Sequence, residues 1–64
     1  MDHRRDELMT VCQVLDELGG VSRRTFYRWR ELGYGPAVFK LPNGELRVWR
    51  SDFTTWLRHL EAAA

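Results

Sequence analysis

Basic side chains are concentrated in one part of this 64-residue sequence. Between Ser22 and Arg50 there are seven Arg or Lys residues and two acidic residues, a net charge of +5, although the whole chain has a formal charge of +1. Guanidinium groups donate paired hydrogen bonds to phosphate and to guanine O6 and N7. A molecule with one basic part therefore suits a polyanion held on one side. A solvated surface is the alternative explanation of the charge asymmetry.

The densest part of this basic stretch has the pattern of a short helix. Ser22 is a typical N-cap and Gly33 a typical C-cap, so the predicted helix runs between them. Phe26 and Trp29 are expected to face inward, and Leu32 is a further candidate for that face. Four residues share the i, i+3, i+4, i+7 spacing of the opposite, exposed face: Arg24, Tyr27, Arg28 and Glu31.

This helix is the predicted DNA-reading element. Two short helices joined by a Gly-containing turn form a helix-turn-helix, whose second helix enters the major groove. Arg30 is expected on phosphate, and Ser22 and Thr25 could add backbone contacts near the helix N-terminus. The alternative is a basic surface helix whose arginines only keep the protein soluble. The expected base-reading residues are Arg23, Arg24, Tyr27 and Arg28.

A β-hairpin is predicted next along the chain. The β-prone runs 37–41 and 46–50 enclose Asn43-Gly44, a dipeptide typical of hairpin turns. Either face of the second strand could be the buried one, because Trp49 competes with Leu46 and Val48. We favour Val48 inward, with Arg47 exposed and Trp49 along the edge of the strand. A hairpin that only packs against a third helix is the alternative. The predicted DNA contacts of this hairpin, as a wing, are Lys40, Asn43, Gly44, Arg47 and Arg50.

Two further helices must hold this surface in place. Thr10 and Gln13 form a predicted capping box at the start of the first helix, which Gly19-Gly20 ends. Ser51 is the predicted cap of the third helix, with Asp52 in its first turn. Each helix has one apolar stripe, made of Val11, Val14, Leu15 and Leu18 in the first and Phe53, Trp56, Leu57 and Leu60 in the third.

The predicted fold is α+β, mainly α: a small winged helix-turn-helix in the order helix, turn, helix, strand, strand, helix. Residues 1–7 are expected to form a flexible arm, residues 8–61 the DNA-binding domain, and residues 62–64 a tail. A chain of this length buries only about 60% of its unfolded surface. It leaves little room for a small-molecule pocket, so function is expected on the surface rather than in an enzyme active site.

Other classes of protein receive little support from the residue types. A single cysteine, Cys12, excludes an internal disulfide, and neither it nor the two histidines form a metal-ligand pattern. No apolar run approaches the ~20 residues of a membrane span, and residues 1–7 lack the apolar stretch of a signal peptide. We therefore expect a cytoplasmic protein without catalytic residues, metal, cofactor, membrane contact or small-molecule substrate.

Taken together, these motifs resemble a known family over about Leu8 to Leu60. The segments that carry the resemblance are Leu8-Met9-Thr10, 20–30, Gly33-Tyr34-Gly35-Pro36, 43–53 and Trp56-Leu57. In combination they are similar to a stand-alone MerR-like winged helix-turn-helix of the excisionase type. The resemblance implies a recombination directionality factor of a mobile element. Such proteins bind attachment-site DNA beside an integrase, often as several adjacent copies, bend the DNA and favour excision.

The sequence departs from this family in two places. The turn after the first helix has an extra glycine at Gly19-Gly20, which could shift the second helix. No coiled-coil extension follows Leu60, which favours a monomer that associates on DNA over a stable effector-sensing dimer. A small MerR-like transcription regulator is an alternative function that needs the same surface. A protein-interaction adaptor, such as an anti-repressor, is a second alternative of a different class.

Overall fold

Three helices and a three-stranded antiparallel sheet form the α+β fold of the computed structural model, which describes residues 6–63. The elements in chain order are β1 (Leu8–Thr10), α1 (Val11–Glu17), α2 (Arg23–Leu32), β2 (Phe39–Lys40), β3 (Leu46–Trp49) and α3 (Arg50–Ala63). The α+β class is thus confirmed, but the predicted order is wrong because a strand precedes α1. Among the described residues, no helix is long and apolar enough to cross a bilayer.

The unpredicted strand β1 makes the hairpin part of a larger sheet. The strand order is β1-β3-β2, with Met9 opposite Val48 and Thr10 opposite Arg47. Three residues are too few to show the alternation that identifies a strand, and the partner of β1 lies far along the sequence. β2 is also shorter than the predicted run 37–41, since only Phe39 and Lys40 pair with β3.

The core draws one or more side chains from every element except the short edge strand β2. Val48 is fully buried, which confirms the predicted inward side of the second hairpin strand. Leu32 is 51% exposed, so its placement on the inward face of α2 is wrong. The hydrophobic core cluster is Met9, Val11, Val14, Leu15, Phe26, Val48 and Phe53.

Local signals at the ends of α1 and α2 act as predicted. The Thr10 N–H donates to Gln13 Oε1 (2.8 Å) and the Gln13 N–H donates to Thr10 Oγ1 (3.1 Å), which confirms the capping box. After α1, the Gly20 N–H donates to the Leu15 carbonyl at 3.0 Å. Gly19 and Gly20 both have positive φ, of 86° and 97°, a conformation that glycine adopts at little cost. The turn between the helices is therefore short and well fixed.

The start of α3 is capped from a distance instead of by Ser51. Helix α3 already begins at Arg50, and the Asp6 carboxylate accepts hydrogen bonds from both the N–H and the hydroxyl of Ser51. The Arg50 N–H donates to the Glu7 carbonyl at 2.9 Å. Asp6 and Glu7, at the end of the predicted flexible arm, thus contact the start of α3, whereas residues 1–5 lie outside the described residues. Helix α3 continues to Ala63, through most of the predicted tail.

Candidate nucleic-acid interface

The outer face of α2 carries the side chains that its spacing predicts. Arg24, Tyr27, Arg28 and Glu31 are all exposed and line one shallow depression of about 310 Å³. Arg30 is exposed in the last turn of the same helix. The core side of α2 is held by Phe26, whose side chain is 1% exposed. Burial of this ring fixes the rotation of the helix and so keeps the basic face toward solvent.

The N-terminal end of α2 is organised by its own side chains. Ser22 Oγ accepts from the Thr25 N–H (3.2 Å) and donates to Thr25 Oγ1 (2.9 Å), so both hydroxyls serve the helix cap. Arg23 Nη2 donates to Cys12 Sγ at 2.6 Å, which ties the guanidinium to the first turn of α1. Cys12 itself is exposed. These contacts position the start of α2 against α1.

The hairpin lies beside α2 across an open cleft of about 460 Å³. The cleft is lined by Thr10, Val11 and Cys12 at the junction of β1 and α1, by Arg23 and Tyr27 on α2, and by residues 44–47 on the hairpin. The structure therefore brings together the N-terminal half of α2 and the turn of the hairpin, two regions that were predicted separately as contact surfaces.

The hairpin turn contains three residues, Pro42 to Gly44. The Gly44 N–H donates to the Leu41 carbonyl (2.9 Å), and the Leu41 N–H donates to the Glu45 carbonyl (2.8 Å). Gly44 has φ +90°, whereas no non-glycine residue among those described has positive φ, so the turn is not the two-residue type that Asn-Gly most often forms. Asn43 and Gly44 are exposed at the tip, although Asn43 Oδ1 accepts from the Glu45 N–H at 3.0 Å.

Arg47 is less accessible than expected. It lies on the central strand, opposite Thr10 on one side and Phe39 on the other, and its side chain is 22% exposed. Its Nη2 pairs with Glu45 Oε2 at 2.8 Å, and its Nη1 donates to the Leu46 carbonyl at 2.8 Å. The expectation of an exposed Arg47 is therefore wrong. Lys40, by contrast, is exposed on β2.

Arg50 does not belong to the hairpin, and its assignment to the wing is wrong. It begins α3, where Nε donates to Glu7 Oε2 (3.1 Å) and the two terminal nitrogens donate to the Glu17 carboxylate (3.2 and 2.8 Å). These bonds, first of all those to Glu17, raise the pKa of Arg50 above its ordinary value. The hydrogen bond from Arg50 in turn lowers the pKa of Glu17. The cluster joins the N-terminal segment, α1 and α3.

The predicted contact cations thus divide into two groups. Arg47 and Arg50 are held by carboxylates. Within residues 6–63, the remaining five have no carboxylate partner and lie on α2 or on β2. They are Arg23, Arg24, Arg28, Arg30 and Lys40.

Two apolar surfaces were not foreseen from the sequence. On the outer side of the sheet, the rings of Phe39 and Trp49 stack with centroids 6.1 Å apart, beside β1. On another side, Trp29 and Trp56 are only half-buried and line an open groove of about 430 Å³. Helical spacing identified both tryptophans as inward-facing but could not show that no further element covers them. The groove is completed by Leu18, Val21, Tyr34 and Leu60.

Neither metal chemistry nor a known relative indicates a function. Among residues 6–63 there is no group of three or more His, Cys, Asp or Glu residues that could hold a metal ion. Comparison with protein families, with curated proteins and with solved structures finds no match to this chain. Function must therefore be inferred from the surface itself.

Proposed function

We propose that the chain binds double-stranded DNA as a winged helix-turn-helix protein, with α1 and α2 as the helix-turn-helix and the β2–β3 hairpin as the wing. One observation carries the proposal: an exposed arginine face on α2, without carboxylate partners among the described residues, stands next to the hairpin turn across an open cleft. Guanidinium groups left unpaired on a convex helix are available to a polyanion, whereas paired ones are partly neutralised.

Helix α2 has dimensions that suit a major groove. An α-helix with its side chains is about 10–12 Å across, and the major groove is about 12 Å wide, so the ten residues of α2 can lie in it. In this arrangement Arg24, Tyr27 and Arg28 face base edges, and Arg23 reads from the N-terminal end, where it also borders the cleft. Arg30 contacts phosphate. Ser22 and Thr25 act mainly through the helix cap, which holds the free N–H groups of the first turn in place for phosphate.

The hairpin turn contacts the neighbouring DNA backbone or minor groove. Lys40, Asn43 and Gly44 are exposed there, and together with the partly exposed Arg47 they remain the proposed wing contacts. Without Arg50, six cations remain between Ser22 and Trp49 to neutralise phosphates, so log K is expected to fall with log[salt] at a slope of about −5. One small domain binds weakly alone, so useful occupancy depends on adjacent copies or on a second protein.

Within DNA binding, we propose the excisionase role that the sequence motifs imply. The protein would act without catalytic residues or cofactor, by binding and bending attachment-site DNA beside an integrase. Bending a site of 20–30 bp costs of order 1–6 kcal/mol, which several aligned copies can supply. A MerR-like transcription regulator would use the same surface, and a footprint on attachment-site DNA with and without the integrase separates the two roles.

A protein-interaction adaptor is the second candidate, because the Trp29–Trp56 groove is an exposed apolar surface of the kind that binds other proteins. Electrophoretic mobility shifts at low salt decide between the classes. DNA binding predicts retardation of a duplex by the wild type, loss of retardation in Arg24→Gln and Arg28→Gln, and little change in Arg58→Gln, a control on α3 with the same loss of charge. Failure to retard any duplex would favour the adaptor.

A further inference from the structure

An acidic side chain stands inside the proposed DNA-binding surface. Glu45 directly follows the hairpin turn, is 59% exposed at its side chain and lines the same cleft as Arg23 and Tyr27. A negative charge at this place repels phosphate and weakens the attraction that the neighbouring cations provide. The hairpin fold alone does not explain why an acidic residue lies at this position.

The carboxylate of Glu45 is held against Arg47 by the shape of the turn. The Glu45 N–H donates to Asn43 Oδ1 (3.0 Å), and the Glu45 carbonyl accepts from the Leu41 N–H (2.8 Å). With the backbone fixed on both sides, Glu45 Oε2 lies 2.8 Å from Arg47 Nη2. Carboxylate and phosphate oxygens accept hydrogen bonds from a guanidinium in the same manner. Glu45 thus occupies Arg47 in the way that a DNA phosphate would.

We infer that Glu45 is an intramolecular competitor of the DNA phosphates for Arg47, an inference that rests on the proposed function. In the free protein the ion pair between Glu45 and Arg47 is formed. On the duplex, Arg47 transfers its hydrogen bond from the carboxylate to a phosphate oxygen, an exchange that is permitted because ion pairs at the protein surface are weak. Because phosphate contacts carry no sequence information, Glu45 lowers the affinity for every duplex by a similar factor and leaves sequence preference to α2.

The affinity of charge-removing variants for a short random-sequence duplex tests this competition. Fluorescence anisotropy of the full chain, measured between about 50 and 200 mM salt, gives both the affinity and its salt slope. Glu45→Gln is expected to bind about two- to fivefold more tightly, the ratio that corresponds to the strength of an exposed ion pair. Glu61→Gln, which removes the same charge from α3, is expected to change the affinity less.

A second substitution shows whether the effect passes through Arg47. Arg47→Gln is expected to make the slope shallower by about 0.9, the value of one phosphate contact. In that background, Glu45→Gln is expected to keep only the smaller gain that comes from removing charge repulsion. Two results would overturn the competition: an unchanged salt slope in Arg47→Gln, or the full gain in affinity from Glu45→Gln when Arg47 is absent. Glu45 would then weaken binding by charge repulsion alone. A wild-type protein that binds no duplex would instead reject the proposed function, and the competition with it.

Discussion

Replacing Arg50 with Gln tests whether this residue stabilises the fold or contacts DNA. Arg50 donates to Glu7 at 3.1 Å and to both oxygens of Glu17 at 3.2 and 2.8 Å. These bonds use three of the five N–H groups of its guanidinium. Gln cannot replace the charge or the paired geometry, so Glu7 and Glu17 lose their shared cation. The melting temperature is therefore expected to fall.

The contacts of Arg50 with Glu7 and Glu17 also determine the expected effect of Arg50→Gln on DNA binding. A cation that neutralises a phosphate contributes about 0.9 to the slope of log K against log[salt]. Because Arg50 is already engaged by two carboxylates, Arg50→Gln is expected to change the slope by much less than this amount. Arg30→Gln, which removes an unpaired cation from the end of α2, is the matched comparison and is expected to lose about 0.9.

Two measurements on the same variants decide the role of Arg50. Circular dichroism melting reports the stability of the fold, and anisotropy titrations at several salt concentrations report the slope. We expect a lower melting temperature with an unchanged slope. A slope reduced by about 0.9 together with an unchanged melting temperature would refute the reasoning, because Arg50 would then leave its carboxylates for phosphate.

Three further predictions concern the fold. Phe26→Ala is expected to lower the free energy of unfolding by about 3–5 kcal/mol, because the ring is 1% exposed; the total for a chain of this length is roughly 3–10 kcal/mol. Urea unfolding measures this loss, and a loss below about 1 kcal/mol would contradict the place of Phe26 in the core. Gly44→Ala is expected to lower the free energy of unfolding by about 1 kcal/mol in the same assay, since a Cβ there meets no atom within 4 Å and only the positive φ is unfavourable. A variant as stable as the wild type would show that the turn adopts another conformation. Glu17→Gln is expected to reduce the loss of stability on acidification. The pKa of Glu17 is lowered in the fold, so its contribution is present above its unfolded pKa of about 4.3 and disappears as the pH falls through the folded value; identical acid melts of the two proteins would argue against the Arg50 pair.

Features set by neighbouring residues were predictable from the sequence. The capping box of Thr10 and Gln13 and the cap at Ser22 depend on side chains and N–H groups within one helical turn. The exposed face with Arg24 and Arg28 follows from helical spacing once Phe26 is placed in the core. The hairpin was also predictable, although Pro42 joins the turn and moves the positive φ to Gly44 alone.

Features that depend on partners far along the chain were not predictable. Strand β1 exists because residues 8–10 pair with β3, and Asp6 reaches Ser51 only once that pairing has formed. Arg50 was assigned to the hairpin because β-prone residues precede it, but Glu7 and Glu17 approach it only in the folded chain. The basic part of the sequence was visible, whereas the partners that occupy two of its cations were not.

Chemical-shift mapping tests the central claim, that the α2 face and the hairpin turn together bind duplex DNA. A uniformly ¹⁵N-labelled chain is titrated with a short duplex at low salt, and the backbone amide shifts are followed. We predict that the perturbed amides cluster in α2, around Arg24 and Arg28, and in residues 43–47, while those of α3 near Leu60 stay unchanged. Perturbations centred on the Trp29–Trp56 groove, or none at all, would contradict the claim.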